Sequence, residues 1–127
     1  MAVTNGQVNT NTLYDSYFWV KWSQKGTQDI ENNQTTINWS CGVYCGHNFY
    51  SNAIKMSAVT INGSQVYGGG TYSNFSKGNN TIASGTLTIA HGSNGNKTFS
   101  VSAFTGWLYQ NYNYSAYATS FELTTIP

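Results

Sequence analysis

The stretch Asn79–Ala103, NNTIASGTLTIAHGSNGNKTFSVSA, decides the fold. Leu87 and Ile89 alternate with Thr86 and Thr88; Phe99, Val101 and Ala103 alternate with Ser100 and Ser102. A period of two lines one strand face with apolar side chains, so two strands are predicted. Between them HGSNGNK supplies Gly92, Asn94, Gly95 and Asn96, which tolerate the positive φ that tight turns need. The expectation is a β-hairpin.

Outward from this stretch the same period recurs. In Tyr17–Lys25, Phe18, Val20 and Trp22 share one face and Tyr17, Trp19 and Lys21 the other. The second set is amphipathic, which places the first inward. Thr35, Ile37, Trp39, Cys41 and Val43 form one face of a strand over 34–44, with Trp39 as a core anchor. Ile54–Ile61 is expected as one strand, and Asn62-Gly63 after it is the strongest short hairpin signal. Gly68–Asn80 reads as a glycine-rich loop, and Phe121 and Leu123 face inward in a last strand. About eight short strands, turns every 8–12 residues or so and no helical period predict an all-β antiparallel sandwich, Ig-like or jelly-roll-like. A small barrel is the alternative. The 127 residues suit one domain, 1–127, with residues 1–12 as a polar N-terminal arm.

Charged residues are 7% of the chain, against roughly 25% in an average soluble protein. Arginine is absent and the formal net charge is +1, so no field favours nucleic acid or an anionic membrane. Aromatic content of 16% with regular alternation argues against a disordered Asn/Ser-rich chain. No apolar run approaches the roughly 20 residues of a membrane span. MAVTNGQVNT carries no basic region followed by an apolar one, so no secretory signal is visible. An external composition without a signal fits a virion component released by lysis, and fits equally well a secreted chain whose signal is not part of this sequence.

INWS (37–40), INGSQVY (61–67), TIASGTLTIAHGSNGNKTFSVS (81–102) and FELTTIP (121–127) occur in this order. The central element is Ile82-Ala83-Ser84-Gly85, an alternating strand, then His91, Asn94, Gly95, Lys97 and Phe99. Over residues 17–127 this resembles the β-sandwich domain of phage tail and tail-tip structural proteins, mostly from phages of Gram-positive bacteria. The resemblance implies a structural, virion-located role near modules that engage the host envelope, with other virion proteins or copies of the chain as partners. CGVYCGHNFY and WLYQNYNYSAY depart from the pattern, and specific binding is expected there.

Catalytic and metal chemistry find little support. Cys41, Cys45 and His47 supply three ligands at best, short of a structural zinc site, and no cofactor is expected. In a regular strand Cys41 and Cys45 lie about 13 Å apart. A disulfide therefore needs Gly42–Tyr44 to bulge, and reduced thiols are expected. Asp29 and Glu31 sit in a loop with no carboxylate opposite, unlike a glycosidase pair. The GxSxG elbow of acyl-transfer hydrolases is absent. The aromatic surplus is the functional signal, because Tyr and Trp give contact area at low entropy cost. Trp107, Tyr109, Tyr112, Tyr114 and Tyr117 with Asn111 and Asn113, and a second patch of Tyr44, Phe49 and Tyr50, are the candidate glycan- or partner-binding residues. The leading expectation is a non-catalytic tail or baseplate module that contacts host-surface polysaccharide. A self-assembling structural subunit is the alternative, and a secreted glycosidase fragment the weakest.

Overall fold

The computed structural model describes residues 5–49, 54–109 and 112–123. In chain order the strands are β1 (Asn5–Asn9), β2 (Tyr17–Gln24), β3 (Gln34–Cys45), β4 (Ile54–Met56), β5 (Val59–Ile61) and β6 (Ser64–Tyr67). They continue as β7 (Gly70–Tyr72), β8 (Gly78–Ala90), β9 (Lys97–Val101), β10 (Phe104–Leu108), β11 (Tyr112–Ala116) and β12 (Thr119–Leu123). Among the described residues there is no helix, and every strand pair is antiparallel.

One layer is the sheet β1-β2-β3-β8. Facing it are two sheets, β11-β10-β4-β7 and β12-β9-β5-β6. These two have matching order, because β4 runs on into β5, β6 into β7, β9 into β10 and β11 into β12. They are two halves of one layer whose four strands are all interrupted along a line. The strands of the halves stay tied across it: Ser57 N donates to Thr105 O at 2.8 Å, and Ser102 N donates to Thr60 O at 3.0 Å. Counted this way the fold is an eight-stranded antiparallel sandwich. The apolar core lies between the layers. Phe18 packs on Tyr114 of one half, and Trp22 packs edge-on against Phe99 and Phe121 of the other.

Four expectations are corrected. Asn79–Ala103 forms two strands but no hairpin. β8 pairs with β3 (Ile37 opposite Leu87) and β9 with β12 (Phe99 opposite Phe121). The intervening turn crosses from one layer to the other, so Ile89 and Phe99 meet the core from opposite sides rather than sharing a face. The segment 54–61 is two strands, because Ile54 and Met56 are buried at even positions and Val59 and Ile61 at odd ones; the extra residue forces the interruption. The N-terminal arm contains β1, held by pairing with β2 and by burial of Val8. The glycine-rich loop contains β7, paired with β4. The Asn62-Gly63 turn forms as expected, with φ of 53° and 75°, the double-positive geometry of a two-residue hairpin.

The crossing turn is built around His91, which is buried. Its Nδ1 lies 2.6 Å from Gly95 O and its Nε2 2.6 Å from Thr35 Oγ1. A carbonyl only accepts, so Nδ1 carries a proton; in the neutral ring Nε2 accepts from the Thr35 hydroxyl. Gly95 takes φ of 85°, which closes the turn. Asn33, at the end of the β2–β3 loop, braces it by donating from Nδ2 to Gly92 O at 3.0 Å.

Trp19 lies on the outer face, as its position in the alternation predicts, yet is only 2% exposed. Its indole covers Gly42, where a Cβ would come within 2.6 Å of the ring and 2.1 Å of Asn80 O. Trp19 Nε1 donates to Asn79 Oδ1 at 2.7 Å, and Lys21 Nζ stands 4.9 Å above the ring.

Candidate functional site: an aromatic cup at one end of the sandwich

The residues singled out in the sequence do not make one surface. In β10 and β11 the period of two sends neighbours to opposite faces. Tyr114 points inward, fully buried against Phe18, and its hydroxyl donates to Leu13 O at 2.7 Å. Burial pushes the Tyr114 phenol up to about 12. Trp107 and Asn113, opposite each other in register, lie on the outer face of that layer, with Lys55 Nζ 5.0 Å above the Trp107 ring. Tyr117 sits at the strand interruption, 92% exposed. Tyr44 stacks on Tyr17 across the β2–β3 pair at 5.3 Å, on the outer face of the first layer. Tyr50 and Asn111 lie outside the described residues.

Three of the predicted residues do converge. Phe49, Tyr109 and Tyr112 meet Tyr14, His47 and Leu108 around a hollow of about 150 Å³. His47 lies on Phe49 at 4.5 Å and Phe49 on Tyr109 at 5.4 Å. Opposite them Tyr14 meets Tyr112 edge-on at 4.5 Å, and the Tyr112 hydroxyl donates to that of Tyr14 at 3.0 Å. That bond raises the Tyr112 phenol above its ordinary range. Phe49 is buried and forms the base. Tyr14 and Tyr109, 58% and 41% exposed, form the rim.

Four chain segments hold this cup. Leu13 and Ser16 exchange both backbone hydrogen bonds, so Tyr14-Asp15 is a two-residue turn with φ of 51° and 54°. This is the geometry of Asn62-Gly63, built here with a tyrosine, which disfavours it, at the first position. Tyr109 also takes φ of 53°. A left-handed conformation costs an ordinary L-residue about 1–2 kcal/mol, and such strain concentrates at functional sites. Here it turns two phenol rings toward one hollow. The Tyr14 turn is anchored beneath by Ser16 Oγ, which accepts from Gly46 N at 3.0 Å, and at the side by Asn11 Oδ1, which accepts from Ser115 N at 2.9 Å.

Asp29 and the two thiols lie elsewhere. Asp29 accepts from the side chain and the backbone of Asn32, and these bonds hold its carboxyl below the usual range. Cys41 and Cys45 are unbonded thiols in the core, and His47 is at the exposed rim of the cup. Among the described residues no three His, Cys, Asp or Glu side chains converge on a point that could hold a metal ion. The cup offers ring faces, three phenol hydroxyls and one imidazole, a set suited to holding a ligand.

Sequence reasoning missed Tyr14 and His47. Tyr14 precedes the first apolar strand in a segment without periodicity, and only the β11 contacts reveal its place. His47 was weighed as a metal ligand beside two cysteines that the strand directs into the core.

Comparison of the chain with protein-family models, with curated proteins and with solved structures gives no match. The class defined by fold and site is an all-β, sandwich-like domain bearing an aromatic cup at one end.

Proposed function

We propose that the protein is a non-catalytic structural module of a phage virion, of tail or baseplate type, that helps attach the particle to host-surface polysaccharide through the aromatic cup. The observation that carries the binding reading is the convergence of Tyr14, Phe49, Tyr109 and Tyr112 on one hollow, with two of these rings held there by strained backbone. Flat rings match the apolar C–H face of a sugar, and the phenol hydroxyls and His47 stand at the rim to bond its hydroxyls. The hollow is sized for one ring or ring substituent rather than a length of chain. The near-neutral, arginine-free composition suits an uncharged ligand. The assignment to a virion rests on the Ile82–Gly85 and His91–Phe99 motif residues and on a polar, charge-poor surface.

The test is a pull-down on purified Gram-positive cell walls with the intact chain and with Tyr109→Ala/Tyr112→Ala. Loss of retention in the double variant, with unchanged thermal unfolding, supports the reading; equal retention removes the cup as the site. Tyr117, almost wholly exposed at the strand interruption, favours a second reading in which the chain is chiefly an assembly subunit. Concentration-dependent association abolished by Tyr117→Ser supports that reading.

A further inference from the structure

The outer face of the β1-β2-β3-β8 sheet carries an open trough of about 680 Å³, away from the aromatic cup. It is a product of strand register. Asn5, Ser23, Asn38 and Thr86 lie opposite one another in turn and form one transverse row. Gln7, Lys21, Ser40 and Ser84 form the other. In the row between, Trp22 and Trp39 send their side chains into the core and are flanked by Gly6 and Gly85, so on this face the row offers only backbone. Three inter-strand steps of about 4.8 Å make the trough roughly 14 Å long.

Its chemistry is unusually uniform. All eight outward residues carry hydrogen-bonding groups, and none is acidic or apolar. Lys21 is the single charge, and its ammonium stands over Trp19. Gln7 donates to Asn9. The other six side chains have no hydrogen-bond partner among the described residues. In the next row Thr36 and Thr88 bond each other at 3.0 Å, so lack of a partner is a property of the trough and not of the whole face.

We propose that this trough is a second binding site, for an uncharged linear oligosaccharide lying across the strands. The lining excludes other occupants on chemical grounds. A nucleic acid or acidic polymer needs several cations, and the trough has one. A protein partner needs buried aromatic or aliphatic anchors, and no apolar side chain stands outward here. A neutral glycan presents hydroxyls that both donate and accept, at a repeat close to the strand spacing. Alternating amides and hydroxyls on four strands match that repeat. The volume falls within the roughly 300–1,000 Å³ of ordinary ligand sites. The proposal is independent of the cup, because no residue is shared.

The test titrates the isotope-labelled intact chain with cellotetraose, maltotetraose and chitotetraose, following backbone amide shifts. The expected result is saturable movement of Ser23, Asn38, Ser40, Ser84 and Thr86 with at least one probe. Ser40→Ala and Ser84→Ala, on the solvent side, leave the core intact and weaken binding several-fold. Ser40→Phe fills the trough and abolishes the shifts there. Absence of saturable shifts at about 10 mM probe, well above an ordinary weak dissociation constant, overturns the proposal. Shifts confined to Tyr14, Tyr109 and Tyr112 overturn it too, and place neutral glycan in the cup. A dimer of the free chain that Ser40→Phe disrupts also overturns it, and assigns the face to a second copy.

Discussion

His91→Ala removes the bond that fixes how the two layers connect. Thr35 is fully buried and His91 is 8% exposed. The substitution deletes two hydrogen bonds of 2.6 Å and leaves the Thr35 hydroxyl and the Gly95 carbonyl without their partner. Each buried group left unsatisfied costs about 1–3 kcal/mol. Some water enters the space vacated, so the lower half of the sum applies, about 3 kcal/mol. For a domain whose total is about 5–15 kcal/mol this is a large share. The assay is urea unfolding followed by tryptophan fluorescence. With an m-value of about 2 kcal/mol/M the midpoint falls by about 1.5 M.

Thr35→Val sharpens the test. In the native background it orphans Nε2 and destabilises; in the His91→Ala background it removes a hydroxyl that already lacks a partner, so it costs little or stabilises. The two changes therefore couple by about 1–2 kcal/mol, within the range for residues in one network. A loss below about 1 kcal/mol in His91→Ala, or strict additivity with Thr35→Val, refutes the view that this imidazole holds the crossing turn.

Other consequences follow from single atoms. Gly106→Ala places a Cβ 2.4 Å from the Phe18 ring; calorimetry should show destabilisation of about 1–3 kcal/mol or more, as expected for overpacking. Burial pushes the Cys41 thiol up to about 12 and Cys45 to about 11, so neither reacts with a thiol reagent at pH 8 until the chain unfolds, when both do. The same shifts give stability a pH dependence. Thiols of the unfolded chain ionise near pH 8.5 or so while the folded ones keep their protons, so this contribution is complete below about pH 8.5 and is lost as pH rises toward 11 and 12. Stability measured from pH 8 to 10.5 in the absence of oxidant should fall, and a rise counts against it. Tyr109→Asn relieves a φ of 53°; folding stability should hold or gain up to about 1 kcal/mol while cell-wall retention drops. Parallel loss of both would mean that the ring serves packing alone.

The strands were legible in the sequence because burial of one face imposes a period of two on β2, β3, β8 and β9. Their partners were not, because alternation says which residues point inward and not from which layer. The stretch 79–103 has the composition of a hairpin, with glycine and asparagine between two alternating strands. What makes it a crossing is the burial of His91 against Thr35, a contact across 56 positions. The interruptions of the second layer were written in the sequence and passed over. Buried residues run 54, 56 then 59, 61; 99, 101 then 104, 106, 108; and 114, 116 then 123. Each slip of phase marks a place where the chain moves from one half-layer to the next.

The site divides in the same way. Surplus aromatic residues in 107–117 pointed to one binding segment, but in paired strands a run of aromatics is dealt alternately to two faces. Tyr114 became core, Trp107 an outer residue beside Lys55, and only Tyr109 and Tyr112 reached the cup. The other half of the cup came from Tyr14 and from His47 with Phe49, on segments far apart in sequence. Strained backbone sets two of these rings, Tyr14 and Tyr109. The chain makes one two-residue turn with Asn62-Gly63, where positive φ is cheap, and another with Tyr14-Asp15, where the tyrosine makes it costly. If the second turn served folding alone, asparagine and glycine would do better there, and Tyr14-Asp15→Asn-Gly should then stabilise the protein at no functional cost. The cup predicts the same gain in stability, measured by urea unfolding, but with the hold on the cell wall lost.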